Sequence, residues 1–208
     1  MIFKVEKLNV SLICLVGVLC FSACQSKIEA PEAWFSHAEQ AEDFNQSKTL
    51  KGLVFSAFLE PKAYTILREH HELFSGSNRE LFDSLMAENT DYQYAQLSIK
   101  TQDGNTPVLR YGISDAGSYQ SRVSYLAFEM QHRVFLEQGN MKIPCVLYHF
   151  ERSYDLAPQV KCLLAFPSQF NSEDPITLVV EDSHFNTGPI RLQFDPKPLT
   201  ETPNLKIQ

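Results

Sequence analysis

The second half of the chain is a succession of short apolar segments separated by turn residues, and this pattern strongly narrows the possible folds. After residue 122, five segments rich in aliphatic, β-branched and aromatic residues alternate with stretches that hold Gly, Asn, Asp and Pro. These segments cover residues 123–134, 143–150, 160–166, 176–181 and 190–194. Consecutive strands joined by turns, without long helical patterns between them, predict antiparallel pairing rather than parallel βαβ units.

The preceding part of the chain adds helical patterns. An apolar run over residues 50–58 predicts a strand, and Pro61 follows at a position that the start of a helix tolerates. Apolar residues at helical spacing come after it, and Asn78 can cap a second helix. The sequence therefore predicts one strand and two short helices before residue 91.

Beyond residue 91 the apolar period approaches two, which predicts a strand over 92–99 that ends at the turn Asp103-Gly104-Asn105. Residues 108–113 are compatible with a strand or a short helix, and we expect a loop over 115–118. These patterns together indicate an α+β fold. We expect it to consist mainly of antiparallel β-sheet, to be sandwich-like, and to carry two or three short helices in its N-terminal half.

The N-terminus is apolar over only a short stretch. Lys4 and Lys7 precede a run of 12 residues from Leu12 to Ala23, and Cys24 follows. A helix that crosses the hydrocarbon core needs about 20 residues, so this run fits the apolar region of a signal peptide better than a membrane span. An ordinary secretory signal, with Cys24 present by accident, is the alternative.

The residues Phe21-Ser22-Ala23-Cys24 resemble the lipobox of a bacterial lipoprotein signal peptide, with Phe21 where Leu is usual. This resemblance implies that residues 1–23 are removed and that Cys24 is lipidated. The protein would then be anchored to the bilayer of the cell envelope through its acyl chains. Gln25 replaces the Asp that marks inner-membrane retention in many such proteins, which favours the outer membrane, with either face open. We expect residues 24–48 to form a tether, 49–195 a single domain and 196–208 a flexible tail.

The charge of the chain disfavours some partners. The net charge is −7 over the full sequence, and removal of Lys4, Glu6 and Lys7 with the signal leaves −8. Nucleic acids and anionic lipids are bound by clustered Lys and Arg, so we expect no nucleic-acid partner.

Two cysteines remain in the predicted domain. If residues 141–150 and 157–166 form a hairpin, one register places their apolar residues on one face and puts Cys145 opposite Cys162. Export permits a disulfide between them, while two small apolar side chains packed in a core are the alternative. Pro144 cannot donate to the ladder, so its strand should lie at an edge or begin near there.

No familiar catalytic motif is present in the sequence, which lacks HExxH, G-x-S-x-G and a P-loop lysine. Asp182, Ser183 and His184 are the first residues to suspect if the protein is a hydrolase, although a polar loop explains them as well. Adjacent His70 and His71 point in different directions on a helix. We therefore expect no catalytic residue, metal or cofactor.

The loop between the two hairpin segments concentrates charged and aromatic residues, with Arg152, Tyr154 and Asp155 as candidates for binding. A self-packed turn is the alternative. Residues 143–158 resemble sequences of uncharacterised Bacteroidetes lipoproteins, which implies no particular activity or ligand. We expect a non-enzymatic binding or structural domain that contacts an envelope protein or polymer, with an envelope hydrolase of unrecognised site as the alternative.

Overall fold

The computed structural model describes residues 30–75, 78–152, 157–171 and 173–207. Five α-helices and nine strands lie in these ranges. The helices are α1 (Pro31–Ala38), α2 (Lys62–Glu69), α3 (Arg79–Ala87), α4 (Ala116–Ser124) and α5 (Pro196–Thr200). The strands are β1 (Asn45–Leu50), β2 (Leu53–Leu59), β3 (Tyr92–Thr101), β4 (Val134–Gln138), β5 (Met141–Pro144), β6 (Leu147–Glu151), β7 (Val160–Pro167), β8 (Ile176–Glu181) and β9 (Pro189–Phe194).

The strands form two antiparallel sheets. The larger sheet has the order β1-β2-β3-β7-β6, and the smaller has the order β5-β4-β8-β9. Residues from both sheets contribute to one buried cluster, in which Phe55, Leu97 and Phe166 of the larger sheet join Leu136 and Phe194 of the smaller. The expected α+β fold with predominant antiparallel β-sheet is therefore confirmed, and the shared core gives it the two-layer arrangement of a sandwich.

A second, smaller cluster lies beside the sheets. It joins α2, the 3₁₀ turn His71–Ser75 and α3, where Leu67, Leu73 and Phe82 are fully buried. Leu205 and Ile207 from the end of the chain pack into the same cluster. Asp195 caps α5 by accepting a hydrogen bond from the Lys197 amide at 3.0 Å. The segment expected to be a flexible tail is thus packed against the body of the protein.

The body also begins earlier than expected. Helix α1 starts at Pro31, within the predicted tether, and Phe35 stacks on Tyr64 of α2 with ring centroids 4.0 Å apart. The apolar run predicted as one strand is preceded by another, because Lys51 and Gly52, both at positive φ, turn β1 into β2. Little chain therefore separates Cys24 from the folded body.

The predicted hairpin of residues 141–150 with 157–166 is wrong for residues 141–145, whereas residues 147–150 do pair antiparallel with the second segment, in another register. Strand β5 pairs with β4 in the smaller sheet, and β6 pairs with β7 in the larger. The chain changes sheets between two consecutive amides, since Cys145 N donates to Val134 O at 3.3 Å and Val146 N donates to Ala165 O at 2.9 Å. Pro144 lies in an edge strand, as predicted.

The change of sheet removes the cysteine pairing. Phe150, rather than Cys145, lies opposite Cys162. Both cysteines are buried free thiols, and burial raises the pKa of Cys145 to about 11 and that of Cys162 to about 12. The register that motivated a disulfide is therefore absent from the fold.

The region after residue 114 is helical where a loop and a strand were expected. Asp115 caps α4 by accepting a hydrogen bond from the Ser118 amide at 2.8 Å. A π-helical turn over Tyr125–Glu129 and a 3₁₀ turn over Met130–Arg133 continue it to β4. The β-branched and aromatic residues of 123–134 predicted a strand, but the N-terminal cap and the packing of one helical face decide the conformation.

Candidate ligand-binding cleft

A cleft opens at one end of the two sheets, and we call it the end cleft. It lies where β2, β7 and β9 end and β3 and β8 begin, beside α2 and α5. The lobe lined by Glu60, Tyr92 and Gln93, which we call the main lobe, has a volume of about 490 Å³ and mixes apolar with polar lining residues. A second lobe of about 610 Å³ adjoins it. The residues common to both lobes are Lys62, Thr90, Ser168, Phe170 and Thr200.

Glu60 is the most unusual residue in the wall of the main lobe. Among the described residues it is the one carboxylic acid that is buried, with an exposed fraction of 4%. Arg68 Nη1 donates to both Glu60 oxygens, at 2.6 and 2.5 Å, and Thr65 Oγ1 lies 3.3 Å from Oε2. Burial raises the pKa of the Glu60 carboxyl, although the Arg68 charge opposes this shift.

The fold explains how Glu60 reaches this position. The Glu60 amide donates to Tyr94 O at 3.0 Å, which continues the pairing of β2 with β3 by one residue. Gln93 Nε2 then donates to Glu60 O at 2.7 Å. Pro61 begins α2 directly afterwards, so that Arg68, two turns along the helix, returns to the Glu60 side chain. The Arg68 guanidinium also lies over the Tyr94 ring, 5.1 Å from its centroid.

A loop between β7 and β8 forms the opposite wall, and a buried amide holds it. Gln138, at the end of β4, is 2% exposed. Its Nε2 donates to Asn171 O at 2.9 Å and to Asp174 O at 2.6 Å, and its Oε1 accepts from Asn171 N at 2.9 Å. The side-chain oxygen of Asn171 in turn accepts from the amides of Glu173 and Asp174. The wall is thus positioned by the smaller sheet.

Lys62 lies at the junction of the two lobes. Its Nζ donates to Met86 O at 2.6 Å and also to Glu88 O. Burial lowers the pKa of Lys62, and the Glu88 charge opposes this effect. The ammonium group therefore fastens the end of α3 to the start of α2.

Of the residues predicted to form a binding loop, Arg152 does not line the end cleft. Arg152 is exposed directly after β6, while Tyr154 and Asp155 lie outside the described residues. Cys24 also lies outside them. The binding-loop and lipidation predictions therefore stay predictions.

The three residues suspected of hydrolase chemistry are near one another but are not arranged as a catalytic group. Both Asp182 oxygens accept hydrogen bonds within the turn after β8, from the amides of His184, Phe185 and Thr187 and from the Thr187 hydroxyl. Asp182 therefore shapes the turn. Ser183 is exposed.

His184 contacts α4. Its Nε2 lies 3.2 Å from Ser121 Oγ, and its ring stacks on Tyr125 with centroids 4.2 Å apart. His184 Nδ1 is buried and has no hydrogen-bond partner among the described residues. A Ser-His contact of this length is compatible with proton transfer, but the carboxylate that usually orients the imidazole is engaged elsewhere.

The described part of the chain also bears on a metal site and on a membrane-spanning helix. No three His, Cys, Asp or Glu side chains there converge as metal ligands, and His70 Nδ1 contacts Glu72 Oε1 at 3.1 Å. Within the same ranges, no helix has the length and apolar character needed to span a bilayer.

Comparison with protein-family models, with curated proteins and with solved structures finds no match to this chain. The sequence did not point to Glu60 or Gln138, since each resembled an ordinary polar residue at the end of a strand. The one available signal was Arg68, which follows Glu60 by eight residues on an amphipathic helix.

Proposed function

We propose that this protein is a bacterial envelope lipoprotein, anchored in the outer membrane by an acylated Cys24, whose folded body is a binding domain that holds a ligand in the end cleft. The end cleft carries this proposal. Ligand sites are concave, mainly preformed, and combine apolar surface with a few convergent polar groups. The end cleft has these properties, and the fold places the buried Glu60 carboxylate in its wall.

The proposed anchor would hold the domain close to the bilayer. Helix α1 begins at Pro31, and the seven residues from Cys24 to Ala30 can span at most about 25 Å when fully extended. Two or three acyl chains give a durable anchor, since each buried CH₂ contributes about 0.8 kcal/mol. The ligand would accordingly be a component of the envelope near the membrane surface.

The anchor is tested by fractionation and mass spectrometry. The wild-type chain should stay with membranes after a salt wash and carry acyl groups on Cys24, whereas Cys24→Ser should be unacylated and released. Cys20→Ser is the matched control, because it changes a cysteine of the same segment and keeps the lipobox. Membrane retention of Cys24→Ser together with an unacylated wild type would exclude the anchor.

The cleft is tested by NMR on the mature chain prepared from residue 25 onward without acyl groups. A clarified extract of envelope polymers should cause saturable shifts of amides that line the end cleft. Ser168→Trp should abolish these shifts because Ser168 borders both lobes. Ser47→Trp, at an exposed position of edge strand β1, should not. Shifts confined to other surfaces, or none at all, would refute the cleft as the binding site.

An envelope hydrolase is the second candidate, and the contact of Ser121 Oγ with His184 Nε2 favours it. A serine-reactive fluorophosphonate distinguishes the two functions, because an activated serine displaces fluoride and becomes phosphonylated while the histidine takes its proton. We expect no labelling of Ser121 in the binding protein. Stoichiometric labelling of the wild type that His184→Ala prevents would establish the hydrolase instead.

A further inference from the structure

We propose that the end cleft binds an uncharged oligosaccharide segment of at least two sugar rings. This inference rests on the proposed binding function of the same cleft and names the class of ligand. It follows from the chemistry of the lining residues, from their charge and from the shape of the cleft.

The lining combines the groups that suit a polyhydroxylated ligand. The side-chain oxygen of Gln93 and the hydroxyl oxygens of Thr65 and Ser168 line the main lobe and can accept hydrogen bonds from sugar hydroxyls, while Gln93 Nε2 already donates to two backbone carbonyls. The Glu60 carboxylate, which has about four lone-pair positions, accepts three hydrogen bonds from Arg68 and Thr65 and so retains some acceptor capacity. Planar carboxylate and amide groups match pairs of neighbouring hydroxyls, which have a similar spacing.

Aromatic rings supply the apolar part of the site. Tyr92 is 46% exposed at the start of β3, which is unusual for a large hydrophobic residue in this fold. Phe170 is half-buried and borders both lobes. The C–H face of a pyranose ring is apolar and carries a partial positive charge, so it packs on the negative face of an aromatic ring.

The charges of the cleft disfavour an anionic ligand. Glu60 and Glu173 line the main lobe, and Glu88 and Asp91 line the second. Lys62 is the one cation in either lining, and its ammonium group already donates to two carbonyl oxygens. A phosphate or carboxylate ligand would meet four carboxyl groups and no uncommitted cation in the described lining.

A peptide strand is also disfavoured. One recurring mode of binding an extended peptide is to add it as a strand to an open sheet edge, where backbone groups provide the affinity. The end cleft is bounded instead by strand ends, by the loop after β7 and by helices α2 and α5. Its recognition groups are therefore side chains that converge from several directions.

The shape of the cleft sets the length of the ligand. Each lobe alone falls within the ~300–1,000 Å³ typical of small-molecule sites. The lobes adjoin, since they share five lining residues, and a ligand that fills one lobe can extend toward the other. One sugar ring would occupy part of one lobe, whereas a disaccharide or longer segment can contact both Tyr92 in the main lobe and Glu88 in the second.

The test is an NMR titration of the same mature chain with a panel of neutral di- and trisaccharides built from gluco-, manno-, galacto- and N-acetylhexosamine units. At least one should shift the amides of Gln93 and Ser168 saturably, with a Kd between about 10 μM and 10 mM. Tyr92→Ala should weaken this binding at least fivefold, and Tyr92→Phe should retain it, because the ring and not the hydroxyl is required. Phe128→Ala is the matched control at an aromatic residue that is 69% exposed away from the cleft.

The outcomes separate this inference from the proposed function. If no sugar of the panel binds but the envelope extract still shifts the cleft amides, the ligand class is wrong and the binding function stands. A glycerol phosphate polymer or a neutral peptide that shifts those amides in place of the sugars would likewise refute the oligosaccharide. If neither extract nor sugars shift them, the binding function fails too. Sugar binding that Tyr92→Ala leaves unchanged would also overturn the inference.

Discussion

Replacement of Gln138 by Leu should release the loop between β7 and β8, which forms one wall of the end cleft, without leaving a cavity in the core. Leu has nearly the volume of Gln, so packing is retained, but the three hydrogen bonds to Asn171 and Asp174 are lost. A hydrogen bond contributes about 0.5–1.5 kcal/mol net, and an unpaired buried group costs more. Asn171 and Asp174 are exposed and can recover part of this loss by binding water.

We therefore expect Gln138→Leu to lower the free energy of unfolding by about 2–3 kcal/mol. In a domain of this size, 1 kcal/mol corresponds to about 2–4 °C in Tm. Urea unfolding should show a lower midpoint with an unchanged slope, because the surface exposed on unfolding is similar. Hydrogen exchange of the Asn171 and Asp174 amides should accelerate more than that of the strands.

Gln193→Leu is the matched control, since Gln193 lies in β9 of the same sheet but is exposed. It should change the free energy of unfolding by less than about 0.5 kcal/mol. If Gln138→Leu is as mild as this control, Gln138 does not hold the loop and the wall has another support. A loss with no change in exchange at residues 171–174 would place the effect elsewhere in the sheet.

Three further predictions concern buried groups. Arg122→Met should lower the free energy of unfolding in urea by about 3 kcal/mol, because the buried guanidinium donates to three backbone carbonyls. Arg191→Met, which removes an exposed ion pair with Glu137, should lower it by less than about 1 kcal/mol. Equal losses would contradict this. Cys145 and Cys162 should be inert to a thiol reagent in the folded mature domain and both titrate on unfolding, since burial and raised pKa values suppress the thiolate. Fast labelling of either one when folded would show that the core opens. The pKa of Glu60 is raised in the folded protein above the ordinary glutamate value of 4.5. The free energy of unfolding of the wild type, measured relative to that of Glu60→Gln, should therefore fall as the pH rises above 4.5. A relative stability that rises over that range would reverse the assigned direction.

The sequence predicts three strands in the second half of the chain to within one residue at each end. Residues 176–181 form β8 as expected, and β7 and β9 differ from the prediction by one residue at an end. In β9, buried and exposed residues alternate without exception. Alternation identifies β9, because one face of an antiparallel strand must be buried. Strands β7 and β8 each bury three consecutive residues and are identified instead by their apolar and β-branched composition.

Alternation of apolar residues predicts the wrong pairing for residues 141–150. Apolar residues alternate through Cys145 as though one strand continued, yet the chain leaves the smaller sheet after Pro144 and joins the larger at Leu147. Met141 and Leu147, expected in the core, are exposed to 40% and 53%. Local alternation identifies the inward face of a strand but cannot identify the sheet to which it belongs, since partner choice depends on tertiary contacts.

The sequence does not predict the end cleft, because the cleft also depends on tertiary contacts. Its wall is assembled from strand ends, a loop and two helices that are far apart in sequence, and its chemistry depends on which polar side chains the fold buries.

Glu60 and Arg122 are both buried charged residues in the described chain, but their surroundings indicate different roles. The Arg122 guanidinium donates to the carbonyls of Val108, Leu109 and Tyr111, so its burial fastens one segment of the fold to α4. Glu60 pairs with an arginine that is 39% exposed, at the wall of a cleft. A buried ion pair seldom stabilises a protein more than apolar residues of similar size would. An apolar residue could close the end of the sheets at least as well, so stability alone does not account for a carboxylate there, and this supports the proposed binding function of the end cleft.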